Sequence, residues 1–316
     1  MATYLVTGGA GFIGSNLVDE ILRRGHHVRV LDNFSTGREA NVADFLPRVE
    51  MVRADVRDEE AVDAAVRGVD YVLHQAALAS VPRSIADPTA NNQVNVQGTL
   101  NVLMAARRHG VKRVVYASSS SVYGDSAELP KVESMTPNPK SPYAVAKLAA
   151  EYYCRVYGEL HGVPSVSLRY FNVFGPRQDP LSQYSAVIPL FVKSLLEGSS
   201  PTIHGDGEQS RDFTFISNVV NANLLACEAK ITGARVYNIA CGGRYTLNQL
   251  FSALRARIGS AVEPVYGPAR PGDVKHSMAG IERIQAELGY RVEVGFEEGI
   301  DRTVQWYRAA GIRALG

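Results

Sequence analysis

The stretch Tyr4-Leu5-Val6-Thr7-Gly8-Gly9-Ala10-Gly11-Phe12-Ile13-Gly14 decides the fold. It opens on a short apolar run, and Gly8, Gly11 and Gly14 then follow at three-residue spacing. Beyond them Ile13, Leu17, Ile21 and Leu22 repeat at helical spacing as far as Gly25, which fits the residue just past a helix end. Glycine spacing alone also suits an ordinary β–α turn. Strand, glycine turn and helix in immediate succession form the context in which such glycines hold a dinucleotide. Gly8 permits the tight turn, Gly11 lets backbone approach a pyrophosphate, and Gly14 lets helix and strand pack closely.

The segments that follow extend this unit. His27–Leu31 predicts a second strand ending in Asp32, 18 residues beyond Gly14. In isolation that Asp would read as a loop cap. In this βαβ position its carboxylate can accept both adenosine ribose hydroxyls and repel the 2′-phosphate of NADP, so NAD is the expected cofactor. Val49–Ala54 predicts a strand leading to Asp55 and Val56, an adenine contact. Tyr71–His74 predicts another, leading to Gln75-Ala76-Ala77, where small residues let a cofactor lie close to the backbone. His74 reads as a strand-end histidine, not a catalyst. Asn92–His109 reads as one long helix and Arg113–Ala117 as the next strand. Repeated βα alternation predicts an α/β fold with a doubly wound, mostly parallel sheet.

Chemistry enters at Ser141-Pro142-Tyr143-Ala144-Val145-Ala146-Lys147. Ser141 suits an N-cap and Pro142 the first position of a helix running to about His161. Tyr143 and Lys147, four apart, share one face of it. An ammonium beside a phenol favours the phenolate, the base a hydride-transfer enzyme needs for the hydroxyl proton. The row Ser118-Ser119-Ser120-Ser121 follows a strand and should face the cofactor from the carboxyl end of the sheet. Some of these serines read equally well as a polar turn.

Composition limits the alternatives. With 33 Lys and Arg against 32 Asp and Glu in 316 residues, the formal charge is +1 and no basic run marks a nucleic-acid footprint. Cys154, Cys227 and Cys241 are scattered and lack metal-ligand spacing, so no metal site is expected and a reducing, cytoplasmic setting is. No signal-peptide pattern or membrane-length apolar run is present, and a soluble chain is expected.

The glycine turn, Asp32, the Ser118–Tyr123 segment and the Tyr143/Lys147 pair stand in the order and spacing of the extended short-chain dehydrogenase/reductase family, which this chain resembles over nearly its whole length. Within that family it is similar to UDP-hexose 4-epimerases, especially those handling N-acetylated sugars. The resemblance implies a Rossmann domain over 1–174, with a returning strand near 235–240, and a smaller α+β substrate domain over 175–316. It implies Tyr143, Lys147 and Ser119 as catalytic residues. It implies NAD held by Gly8, Gly11, Phe12, Ile13, Gly14, Asp32, Asn33, Asp55, Val56, Ala76, Ala77, Asn95, Tyr143 and Lys147. Lys147 would bind the nicotinamide ribose and lower the tyrosine pKa together with the cofactor's charge.

Related 4,6-dehydratases and UDP-glucuronate decarboxylases carry an acidic residue where this chain has Ser120 and Ser121. Oxidation and re-reduction at one carbon is therefore the implied reaction, with decarboxylation or uronate epimerisation as the rival and a non-catalytic dinucleotide sensor more distant. The implied UDP-sugar contacts are Ser119, Ser120, Asn172, the helix start Ala186-Val187-Ile188, Ile203, His204, Arg211, Arg270, Asp273 and Ser277. Arg211-Asp212 otherwise reads as a surface ion pair. A small residue at Ser277 implies room for an acetamido group. The apolar-faced helices 92–109 and 142–161 resemble a homodimer interface, though their apolar residues read equally well as core, and no nucleic-acid or membrane partner is expected.

Overall fold

A computed structural model describes residues 1–180, 186–269 and 275–311. Seven strands form the central sheet: β1 (Thr3–Thr7), β2 (His27–Asp32), β3 (Glu50–Arg53), β4 (Tyr71–His74), β5 (Arg113–Ser119), β6 (Ser165–Tyr170) and the edge strand Ala234–Ile239. Their spatial order is Ala234–Ile239, β6, β5, β4, β1, β2, β3, and every pairing is parallel. Successive residues serve opposite faces, as the period of a strand requires. Val6, Leu73 and Val115 enter one hydrophobic cluster, while their neighbours Leu5, Val72 and Val114 enter a second. A sheet buried on both faces explains why its strands read as nearly unbroken apolar runs.

The chain winds outward from β1 through β2 to β3, then returns to the other side of β1 for β4. Strand order reverses there, and a crevice opens at the carboxyl ends of β1 and β4. This topology, with helices on both faces, is the doubly wound Rossmann arrangement expected above.

One predicted element differs. Instead of a single helix over 92–109, the chain is helical from Pro88 to Asn92, takes a wider π turn over Gln93–Gln97, and continues as Gly98–His109. Asp87 starts it early, its carboxylate accepting the Ala90 N–H at 2.9 Å. Gly98 permits close approach to the turn that follows β3, since a Cβ there would lie 2.7 Å from Val56 Cγ2. The π turn leaves Asn95 aimed at Leu78.

Past Phe174 three small strand pairs replace the alternation: Val173–Phe174 with Thr214–Phe215, Ser210–Arg211 with Tyr245–Thr246, and Thr202–His204 with Val265–Gly267. Phe174, Phe213, Phe215 and Phe296 meet ring to ring at their centre. The cluster that includes Val6 and Val115 continues into Phe191, Ile203 and Leu250, so the sheet and these elements share packing.

Candidate active site

A cavity of about 370 Å³ occupies the crevice. Gly8, Gly11, Phe12, Ile13, Gly14, Asp32, Asn33, Asp55, Val56, Ala76, Ala77, Tyr143 and Lys147 all line it. Its floor is closed to side chains. A Cβ on Gly8 would sit 2.7 Å from Ala76 N, and one on Gly14 2.1 Å from Gly8 O. The helix Phe12–Arg23 begins at Gly11 with no side-chain cap, leaving first-turn N–H groups for an anion. Asp32 accepts from Ala10 N at 2.9 Å and Phe34 N at 2.7 Å; burial raises its carboxyl, and these bonds oppose that. The cradle fits a dinucleotide. Asn95 stands behind this wall: its amide accepts from Leu78 N, donates to Leu78 O and reaches Asn91. It shapes the wall without lining it.

The helix Pro142–His161 supplies the reactive pair. Ser141 caps it as expected, accepting the Ala144 N–H at 3.2 Å. Lys147 is buried, donates to Ala117 O at 2.8 Å, and lies 5.8 Å from the Tyr143 ring centre. Burial depresses Lys147 to about 7, while the Glu151 carboxylate acts upward. Burial also raises the Tyr143 phenol, and a hydrogen bond with Ser119 acts downward. The expected lowering of the phenol by Lys147 is therefore not a property of the protein alone. The buried ammonium is itself depressed and aims a proton at a carbonyl.

The serine row divides by role. Ser118 donates to Glu151, which also receives Arg169 in a buried fork, Nε at 2.9 Å and Nη2 at 2.8 Å. Ser119 ends β5 beside Tyr143, and Ser120 opens the 3₁₀ turn Ser120–Tyr123.

A second cavity, about 550 Å³, is lined by Asn172, Ala186, Val187, Ile188, His204 and Arg211 among others. The helix Val187–Leu196 begins there at Ala186 without a side-chain cap, again presenting N–H groups. Ile203 is buried behind the wall, and Ser277 lines neither cavity; its N–H bonds Ser210 O at 3.0 Å. Arg270 and Asp273 lie outside the described residues. Arg211 and Asp212 do not form the surface pair that adjacency allows. Arg211 lines the cavity and donates to Ser210 O and Lys275 O, whereas Asp212 is fully buried, accepting from Cys241, Gly242 and Ala279 N–H groups. Tyr170 lines the first cavity and Asn172 the second, so both open at the end of β6.

Residues 4–240 match the NAD dependent epimerase/dehydratase family. The chain belongs to that family. It is 39% identical to the UDP-glucose 4-epimerase of Mycolicibacterium smegmatis over 96% of this chain and 98% of that one. The UDP-N-acetylglucosamine 4-epimerase from Methanobrevibacter ruminantium, solved with UDP-N-acetylmuramic acid, superposes with a TM-score of 0.93 at 40% identity, covering 98% of each chain. The Thermus thermophilus UDP-glucose 4-epimerase, solved with NAD, gives 0.88 at 40% identity, covering 98% of this chain and 99% of that one. These relatives place the protein among NAD-dependent UDP-sugar 4-epimerases, an isomerase class.

Sequence reading missed the shell behind the site. Tyr170 shares hydrogen bonds with Gln75 and with Asn223 of the helix Ile216–Glu228. Tyr170 had a signal in its place at a strand's carboxyl end; Asn223 had none. Among the described residues no cluster of His, Cys, Asp or Glu could hold a metal ion, and no helix is long and apolar enough to cross a membrane.

Proposed function

We propose that the protein interconverts UDP-N-acetylglucosamine with UDP-N-acetylgalactosamine, and UDP-glucose with UDP-galactose, by oxidation and re-reduction at sugar C4. The observation that carries this reading is that Tyr143 and Lys147 line a dinucleotide cavity, with Ser119 hydrogen-bonded to Tyr143 behind it, and that this cavity shares the end of β6 with an anion-suited second cavity. Tyr143 Oη takes the 4-hydroxyl proton, with Ser119 Oγ bridging, and later returns it. NAD, when bound, supplies the hydride acceptor and donor for C4 and a cationic ring that favours the phenolate. Lys147 holds the nicotinamide ribose and, kept protonated with Glu151's help, adds to that field.

Asn172, Arg211 and the uncapped helix start at Ala186 hold the diphosphate, while the sugar turns to present its other face. Arg270 and Asp273 belong to the same reading, toward phosphate and ribose. Ser120 and Ser121 offer no carboxylate for elimination or decarboxylation, which supports chemistry at one carbon. Acceptance of the acetamido group rests on the resemblance alone, which sets a small residue, Ser277, beside the sugar's 2-substituent; Ser277 and Ser120 line neither cavity. A homodimer is part of the reading. Of the two helices expected at the interface, Pro142–His161 exposes Val145, Tyr152, Tyr153 and Leu160, Leu160 by 73%, whereas Val102, Leu103, Ala105 and Ala106 of the 92–109 stretch are core; Val81 and Ile85 are exposed on the Val81–Ala86 helix instead.

Incubation with UDP-N-acetylglucosamine, without added NAD and then with it, tests the proposal by chromatography. UDP-N-acetylgalactosamine should appear. Unchanged UDP-sugars in both conditions, from folded protein, would reject it.

A further inference from the structure

We propose that Arg83 is the cation that neutralises the dinucleotide's diphosphate. The charged side chains lining the first cavity among the described residues are Asp32, Asp55, Arg57, Arg83 and Lys147. Two are acidic and repel a diphosphate. Arg57 is engaged by Asp55, with Nε at 2.9 Å and Nη2 at 2.8 Å. Lys147 donates to Ala117 O. Arg83 is half-buried, and its guanidinium makes no hydrogen bond or ion pair among the described residues. A guanidinium held in a cavity wall without a protein partner is placed for an anionic ligand.

Its backbone is fixed at the right place. Ser80 begins the short helix Val81–Ala86, its hydroxyl accepting the Arg83 N–H at 3.2 Å. The next residue, Ser84, accepts the Tyr143 N–H through its hydroxyl at 3.1 Å, tying this helix to the catalytic one. The segment after β4, which leads into it, touches the glycine turn at Gly8 and Ala76. The uncapped N–H groups at Phe12 offer a diphosphate only about half a positive charge. Arg83 brings a full charge and a fork that matches two phosphate oxygens. It lines the first cavity and not the second, which assigns it to the cofactor's diphosphate and not the UDP-sugar's. The assignment rests on NAD occupying this cavity.

Calorimetric titration of the full chain, freed of nucleotide, tests it with NAD, adenosine and UDP as separate probes. Arg83→Gln should weaken NAD by about 10- to 100-fold, the range for a charged hydrogen-bonding partner. Arg83→Lys should restore part of that loss. Adenosine, which lacks the diphosphate, and UDP should bind as to wild type. Unchanged NAD affinity in Arg83→Gln overturns the proposal. So does an equal loss for adenosine, which would mean a packing role, or a loss confined to UDP, which would move Arg83 to the substrate. Turnover is not read, so failure of the proposed epimerisation would leave this result standing.

Discussion

Replacing Glu151 with Gln removes the acidic half of a buried ion pair and tests how Lys147 keeps its proton. Glu151 and Arg169 are each 4% exposed and joined by two hydrogen bonds, at 2.9 and 2.8 Å. Removing one partner leaves the other charge buried and uncompensated, which costs about 3–5 kcal/mol. The melting temperature should therefore fall by roughly 6–15 °C. The double variant Glu151→Leu, Arg169→Met removes both charges and should cost less than the single change, because the two sites are coupled.

Activity carries a separate sign. The groups around Lys147 are Tyr143, Tyr116 and neutral His74, with Glu151 the acid that holds its proton on. Without that carboxylate the lysine falls further below about 7. Glu151→Gln should then lose turnover on the alkaline side first, by about tenfold per unit of displaced pKa. Thermal melts and pH–rate profiles read the two effects independently. Wild-type melting with an unmoved profile, or strictly additive double-variant costs, would refute the reasoning.

Three further outcomes are expected. Tyr143→Phe keeps the ring and should lower turnover by at least about 10²–10⁴ with little change in melting, since only the proton acceptor is lost. Ser277→Tyr sets the resemblance against the cavity linings, which omit Ser277: a gate position lowers kcat/KM for UDP-N-acetylglucosamine by about 10-fold or more while sparing UDP-glucose, and unchanged steady-state kinetics on both would remove Ser277 from the site. Asp212, raised to about 6 by burial while its N–H partners act downward, takes up a proton on folding between its ordinary value of 3.8 and about 6. Its contribution to stability is present in acid and lost as pH rises through about 6, so urea melts of Asp212→Asn should lack that dependence.

The sheet was legible because its inner strands are buried on both faces, and β1, β4 and β5 run into glycine, alanine or serine at the cofactor edge. Gly8, Gly14 and Asp32 pointed to the first cavity through their places in a strand, glycine turn, helix and strand succession, not through spacing alone. The π turn at Gln93–Gln97 was not legible, since helical periodicity cannot register one inserted residue and Gly98's reason is Val56, far off in sequence. Asp212 looked like half of a surface pair because its N–H partners lie at Cys241, Gly242 and Ala279. The surroundings of the tyrosine in the protein alone were not legible for a related reason. Helical spacing shows Lys147 as a neighbour of Tyr143 but not the burial that depresses the lysine and raises the phenol.

The central claim is that one carbon is oxidised and re-reduced within the closed site, and isotope tracing tests it most directly. UDP-N-acetylglucosamine carrying deuterium at C4 should yield UDP-N-acetylgalactosamine with the label still at C4. The unlabelled substrate in deuterated water should take up none on carbon. Loss of the C4 label to solvent, or deuterium appearing at C5, would contradict the account.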